Sequence, residues 1–199
     1  QIMNAVVEKV GNAANCDGIF RLVAPDNGQT LFFTSAVEKP AVYQQDVDFD
    51  GTLDLVVTTN SGASNQYHSF FLRRGYEYVQ VEVPGWGYEL CNYQLYPQRR
   101  LVVTHANNGA AGAFHETTIF CWNGTQLKPL RTAEAHMSVD DYDQNGLIIS
   151  AANPQLVSLT VWDYTSNEES NLIYEKTVLL AAMQTELELQ LDVLWQGLK

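Results

Sequence analysis

Apolar and polar positions alternate along most of this chain in short runs, each closed by a cluster of turn residues. The runs "TLFFTSAV" (30–37), "LDLVVTT" (53–59), "YHSFFLRR" (67–74), "YEYVQVEV" (76–83), "RRLVVTHA" (99–106), "TTIFCW" (117–122), "GLIISAA" (146–152) and "LVSLTVWDY" (156–164) are rich in β-branched and aromatic residues and read as strands. Between them stand "PDNGQ", "NSGASN", "VPGWG", "ANNGAAGA" and "WNGT", whose Gly, Asn, Asp and Pro residues favour turns. Asn123-Gly124 predicts a hairpin turn, since both residues tolerate positive φ. This spacing predicts a single all-β domain over 1–199, an antiparallel β-sandwich or a propeller-like fold with little helix.

The C-terminal stretch "TELELQLDVLW" (185–195) carries two periods. Leu187, Leu189, Leu191, Val193 and Trp195 alternate as on a half-buried strand, whereas Met183, Leu187, Leu191 and Leu194 fit a helix. The alternation is the more regular and favours a strand, preceded by a short helical turn at "VLLAAM".

Composition narrows the class. Hydrophobic residues are 46% of the 199 and aromatics 11%, enough for a packed core. No apolar run approaches the roughly 18 residues of a membrane span. The net charge of -12 argues against nucleic acid, which is bound through clustered Lys and Arg, and leaves basic partners, metal cations or plain solubility. Cys16, Cys91 and Cys121 allow one bridge, Cys91–Cys121, or buried reduced thiols. A chain opening at Gln1 fits a secreted protein trimmed of its signal peptide.

One segment carries distinct chemistry. Residues 46–54, "DVDFDGTLD", crowd four aspartates into nine positions. Calcium takes six to eight oxygen ligands, and aspartates at alternating loop positions supply them. Asp46, Asp48 and Asp50 point inward on this reading, Thr52 offers its carbonyl, and Asp54 closes the shell. Gly51 permits the sharp bend, and Phe49 and Leu53 are expected to face the core. Position twelve is Val57 rather than the Glu of an EF-hand. A solvated acidic turn is the competing reading. The segment 141–149 echoes the pattern with Asp141, Asp143, Asn145 and Gly146, but Ile149 takes the ninth place, so it reads as a degenerate copy.

Signs of catalysis are lacking. "HETTI" at His115 has no second His for a zinc-protease helix, and the chain holds no G-x-S-x-G elbow, P-loop or G-x-G-x-x-G. The expectation is a binding protein rather than an enzyme. Trp86, Tyr88 and Tyr93 in "VPGWGYELCNY" are either loop anchors for a partner or ordinary core aromatics.

The acidic loop resembles the calcium loops of integrin-type FG-GAP repeats. The longer run "QQDVDFDGTLDLVVTTNSGASNQYHSFFLRRGYEYVQ", followed by "LCNYQLYPQRRLVVTHANNGAAGAFHETTIFCWNGTQLKPL", is similar to bacterial periplasmic calcium-binding proteins related to lysozyme inhibitors. Some of these act as immunity proteins against peptidoglycan-cleaving effectors delivered by secretion systems. The resemblance covers roughly residues 28–130. It implies a Ca2+ ion at Asp46, Asp48, Asp50, Thr52 and Asp54, and a periplasmic location, either free or lipid-anchored through a preceding Cys. It also implies a lysozyme- or muramidase-like effector as partner, blocked by the loop "HANNGAAGAFHE" (105–116). Asn108, Gly109, Gly112, Phe114 and His115 are its candidate contact residues, although Phe114 and His115 stand where a Tyr is usual and the Ser of the pattern is missing. The alternative is a calcium-dependent adhesion module binding carbohydrate or protein.

Overall fold

The computed structural model describes residues 5–13, 16–109, 114–137, 156–165 and 170–198. Packing divides the chain into two compact units, Gln1–Val102 with Cys121–Lys128 and Val103–Phe120 with Pro129–Lys199. The fold is antiparallel and mostly β, with one short α-helix; no closed barrel or propeller is formed among the described residues.

In the first unit, β1 (Val6–Ala13), β2 (Cys16–Val23) and β3 (Thr30–Ser35) form a meander in the order β1-β2-β3. A second sheet runs β4 (Val42–Gln45), β5 (Asp54–Ser61), β6 (Gln66–Arg74) and β7 (Glu77–Gln80), with β8 (Leu90–Cys91) paired to β6. Strict alternation on β3 buries Leu31, Phe33 and Ser35 and leaves Thr30, Phe32 and Thr34 outward. The inward set meets Phe20 and Leu22 of β2 and Val42, Leu55, Val57, Phe71 and Tyr78 of the other sheet in one apolar core. Phe33 stacks on Phe20 at 5.7 Å and meets Phe71 edge-on at 6.4 Å. Two sheets closed over a shared core make this unit a sandwich.

The remaining strands are β9 (Gln94–Tyr96), β10 (Leu101–Gly109), β11 (Phe114–Asn123), β12 (Gln126–Met137), β13 (Leu156–Asp163) and β14 (Asn171–Leu179), ordered β14-β13-β12-β11-β10-β9. The hairpin between β11 and β12 forms where the sequence places it, but its two turn residues are Gly124 and Thr125, with the positive φ on Gly124 alone.

The C-terminal strand expected from alternation is instead a helix, α1 (Met183–Trp195). Met183, Gln190 and Leu194 are buried and Leu187 is half-buried, a stripe at helical spacing, while Leu189 and Leu191 are exposed. Met183 and Leu187 pack on Val157, Leu159 and Tyr174 of β13 and β14. Gln190 sits in this apolar stripe because its side-chain amide donates to the carbonyls of Glu134 and Thr160 at 2.7 and 2.9 Å.

Cys91 and Cys121 are both reduced, so the bridge between them does not form. The echo loop 141–149 lies outside the described residues. No helix among the described residues is long and apolar enough to cross a membrane.

Candidate metal centre

The acidic loop links β4 to β5, and its ends are fixed by strand pairing, with Gln45 opposite Asp54. Val47 is fully buried and anchors the loop; Phe49 is only half-buried, and Leu53 is 49% exposed, contrary to the expectation that both face the core. Two residues take the left-handed backbone needed for so tight a path, Phe49 (φ 62) and Gly51 (φ 89).

Oxygen atoms of Asp46, Asp48 and Asp50 all lie within 4.8 Å of one another, and the cluster can hold a metal ion. Each carboxylate is aimed by backbone donors of the loop itself. The Asp50 N–H reaches Asp46 Oδ1 at 3.1 Å and Asp48 Oδ1 at 3.3 Å, Gly51 N–H reaches Asp46 Oδ2 at 3.0 Å, and Thr52 N–H reaches Asp50 Oδ1 at 2.7 Å. An all-carboxylate donor set is hard, which suits a hard divalent cation over a thiophilic metal.

Asp54 stands differently. It is fully buried, and its two oxygens accept from Val47 N–H at 3.0 Å and Arg73 N–H at 2.8 Å. The carboxylate thus ties the start of the loop to its end and both to β6. Burial pushes its pKa up to about 6; the two backbone donors oppose this and the charges of Asp48 and Asp50 reinforce it. Thr52 is half-buried beside it.

Three residues absent from the sequence reading complete the surroundings. The Arg74 guanidinium donates to Asp48 Oδ2 at 2.5 Å and reaches Asp50 Oδ2 at 3.4 Å. Arg100 donates to the carbonyls of Phe49 and Asp48 at 2.8 and 3.2 Å, and the Trp122 indole N–H donates to the Val47 carbonyl at 2.8 Å. A signal existed: of 11 basic residues in the chain, four sit in the dipeptides Arg73-Arg74 and Arg99-Arg100, and a loop of four aspartates needs counter-charge.

A hydrogen-bonded chain leads from the loop into the first unit. Gln45 Oε1 accepts from Tyr93 at 2.6 Å, Tyr93 and Tyr43 share a hydroxyl contact at 2.8 Å, and Tyr43 meets His68 Nδ1 at 3.3 Å. Burial lowers the His68 pKa to about 4, so the imidazole is neutral through the physiological range.

The candidate contact loop is placed only in part. Gly112 lies outside the described residues. Asn108 is exposed near the end of β10, followed by Gly109 as the last residue of that strand. Phe114 packs on the core beneath α1. His115 is 5% exposed and stacks on His105 at 5.5 Å, so in this arrangement its ring offers a partner almost no surface.

No protein-family model, no curated protein and no solved structure matches this chain.

Proposed function

We propose that this chain is a calcium-binding β module that works by binding another protein, inhibiting a peptidoglycan-cleaving enzyme as periplasmic immunity proteins do. The observation that carries the metal half of this reading is the Asp46–Asp48–Asp50 cluster, three carboxylates converged by backbone donors on a loop clamped at both ends. Calcium is favoured over magnesium because it accepts many carboxylate oxygens in irregular geometry, whereas magnesium retains its waters. Thr52 and Asp54 are the further ligands on this reading; each Asp54 oxygen accepts one backbone N–H and keeps a second lone pair for the ion. The ion acts structurally: it cancels the mutual repulsion of the loop and stabilises the folded chain alone.

The partner half rests on the resemblance of residues 28–130 and on the hairpin that carries loop 105–116. Exposed Asn108 precedes the sequence "GAAGA" (109–113), whose side chains are small enough for a glycan-binding cleft. The negative charge of -12 suits a basic muramidase approached under electrostatic steering. The test is lysis of peptidoglycan by the hydrolase encoded beside this gene, with and without the protein. Stoichiometric protection, abolished by Asn108→Arg or Gly112→Arg, is expected; full lysis in the presence of the folded protein overturns the inhibitor reading.

A further inference from the structure

The first unit carries a second feature, independent of the acidic loop. An open groove of about 330 Å³ lies between the outward face of β3 and the segment leading into β8, and Phe32, Thr34, Ser69, Gln80, Tyr88 and Glu89 line it. That volume is at the small end of the roughly 300–1,000 Å³ usual for small-molecule sites. Phe32 is 58% and Tyr88 49% exposed, so two aromatic side chains at one groove are left in water.

The backbone at Tyr88 is held in place. Its carbonyl accepts from the buried Ser69 hydroxyl at 2.9 Å. The turn before it is closed by Val83 N–H to the Gly87 carbonyl at 2.7 Å and Trp86 N–H to the Val83 carbonyl at 2.8 Å. Gly85 and Gly87 supply the positive φ this turn requires (84 and 72). Phe32 is fixed by the pairing of β3, where it stands opposite Arg21. The backbone that carries both aromatics is set before any ligand arrives, which lowers part of the ordering cost of binding.

The polar groups round the rim are unspent. The Thr34 hydroxyl, the Gln80 amide, the Tyr88 phenol and the Glu89 carboxylate make no hydrogen bond to another described residue. Among the described residues that line it, Glu89 is the one charge and no Lys or Arg takes part; Arg21, opposite Phe32, is paired with Glu8. Phosphates, sulfates and other anions are therefore disfavoured. A purely apolar ligand would strip water from Gln80 and Glu89 without replacing it. What matches an aromatic wall with a carboxylate and an amide beside it is an uncharged ring with one C–H face and a rim of hydroxyl donors.

We propose that this groove binds a pyranose saccharide, its C–H face against Phe32 and Tyr88 and its hydroxyls on Gln80 and Glu89. The site goes beyond the inhibitor reading and does not depend on the metal. The experiment follows the amide signals of the ¹⁵N-labelled full chain while neutral trisaccharides of glucose, mannose, galactose and N-acetylglucosamine are titrated in turn. At least one sugar is expected to shift the signals of Phe32, Gln80 and Glu89 saturably. Phe32→Ala and Tyr88→Ala, both at exposed positions, are each expected to weaken that binding about tenfold without moving the melting temperature, the scale of one aromatic contact. The proposal is overturned if no sugar in the panel shifts these signals, if Phe32→Ala binds as the parent does, or if an unstructured peptide library shifts them where sugars do not.

Discussion

The Arg74 guanidinium sits 2.5 Å from the Asp48 carboxylate, on the same loop that brings Asp46 and Asp50 to it. Asp48 is 4% exposed while the Arg74 side chain is 29% exposed, and Arg74 occupies part of the place a cation would take. A metal ion and Arg74 compete for the same oxygens. Arg74→Gln is expected to tighten calcium binding about tenfold while destabilising the metal-free protein by about 1.5–3 kcal/mol, the scale of a charge-assisted hydrogen bond. Calorimetric titration and denaturant unfolding in chelator check the two halves. Weaker calcium binding in the variant would make Arg74 a support of the site rather than a competitor.

Gly51 has φ 89 and nothing within 4 Å of where a Cβ would stand, so space is not the obstacle there; the backbone is. Gly51→Ala is expected to cost about 1–2 kcal/mol from the left-handed conformation alone. Gly62 gives the control, because its Cβ would meet the Asn65 carbonyl at an ordinary 3.7 Å and its φ is not positive. Gly62→Ala should be near neutral in the same urea titration, and equal losses at both sites would refute the conformational argument.

His68 predicts an acid limb to stability. Its folded pKa is lowered by burial to about 4 against the usual 6.5. Between those values the unfolded chain binds a proton that the folded one refuses, so stability is held above about pH 6.5 and lost as pH falls towards 4, by about 3 kcal/mol over that window. His68→Gln removes this dependence. Unfolding curves at half-unit pH steps should show the parent slope exceeding that of the variant by close to one proton, and parallel slopes would contradict the assignment.

The thiols give a chemical check on packing. Cys91 is 8% exposed, and Cys121 is half-buried with its pKa raised, chiefly by burial. Iodoacetamide at pH 8 followed by mass spectrometry should label Cys121 before Cys91, and both more slowly than after denaturation, because the thiolate is the reacting form. A mass two units low for the pair would instead mean that they are bridged.

Strands β3, β5, β6 and β7 were legible from their β-branched and aromatic runs, and on β3 from alternation, where Leu31, Phe33 and Ser35 are buried and Thr30, Phe32 and Thr34 are not; β1, β2, β4 and β8 were not foreseen. The acidic loop was legible from spacing alone, since three aspartates two residues apart before a glycine converge in space. Alternation misled at the C-terminus: a run of Leu and Glu satisfies both periods over eleven residues, and the stripe that is buried, Met183, Leu187, Gln190 and Leu194, is the one at helical spacing, with Met183 and Leu187 in the cluster of Val157 and Leu159. Strand β14 was invisible for a related reason, as its exposed Leu172, Ile173 and Leu179 follow no buried pattern. Arg74, Arg100 and Trp122 reach the loop across 24 to 75 residues of chain, and local spacing carries no trace of such contacts.

Titrating chelator-stripped protein with calcium in a calorimeter decides whether residues 46–54 hold the ion. Saturable binding of one ion at this loop is expected, with a dissociation constant below about 10⁻³ M, the weakest class of extracellular calcium sites, a rise in melting temperature on loading, and loss of both in Asp48→Asn. Absence of heat and of any thermal shift in the parent protein, or undiminished binding in Asp48→Asn, would contradict it.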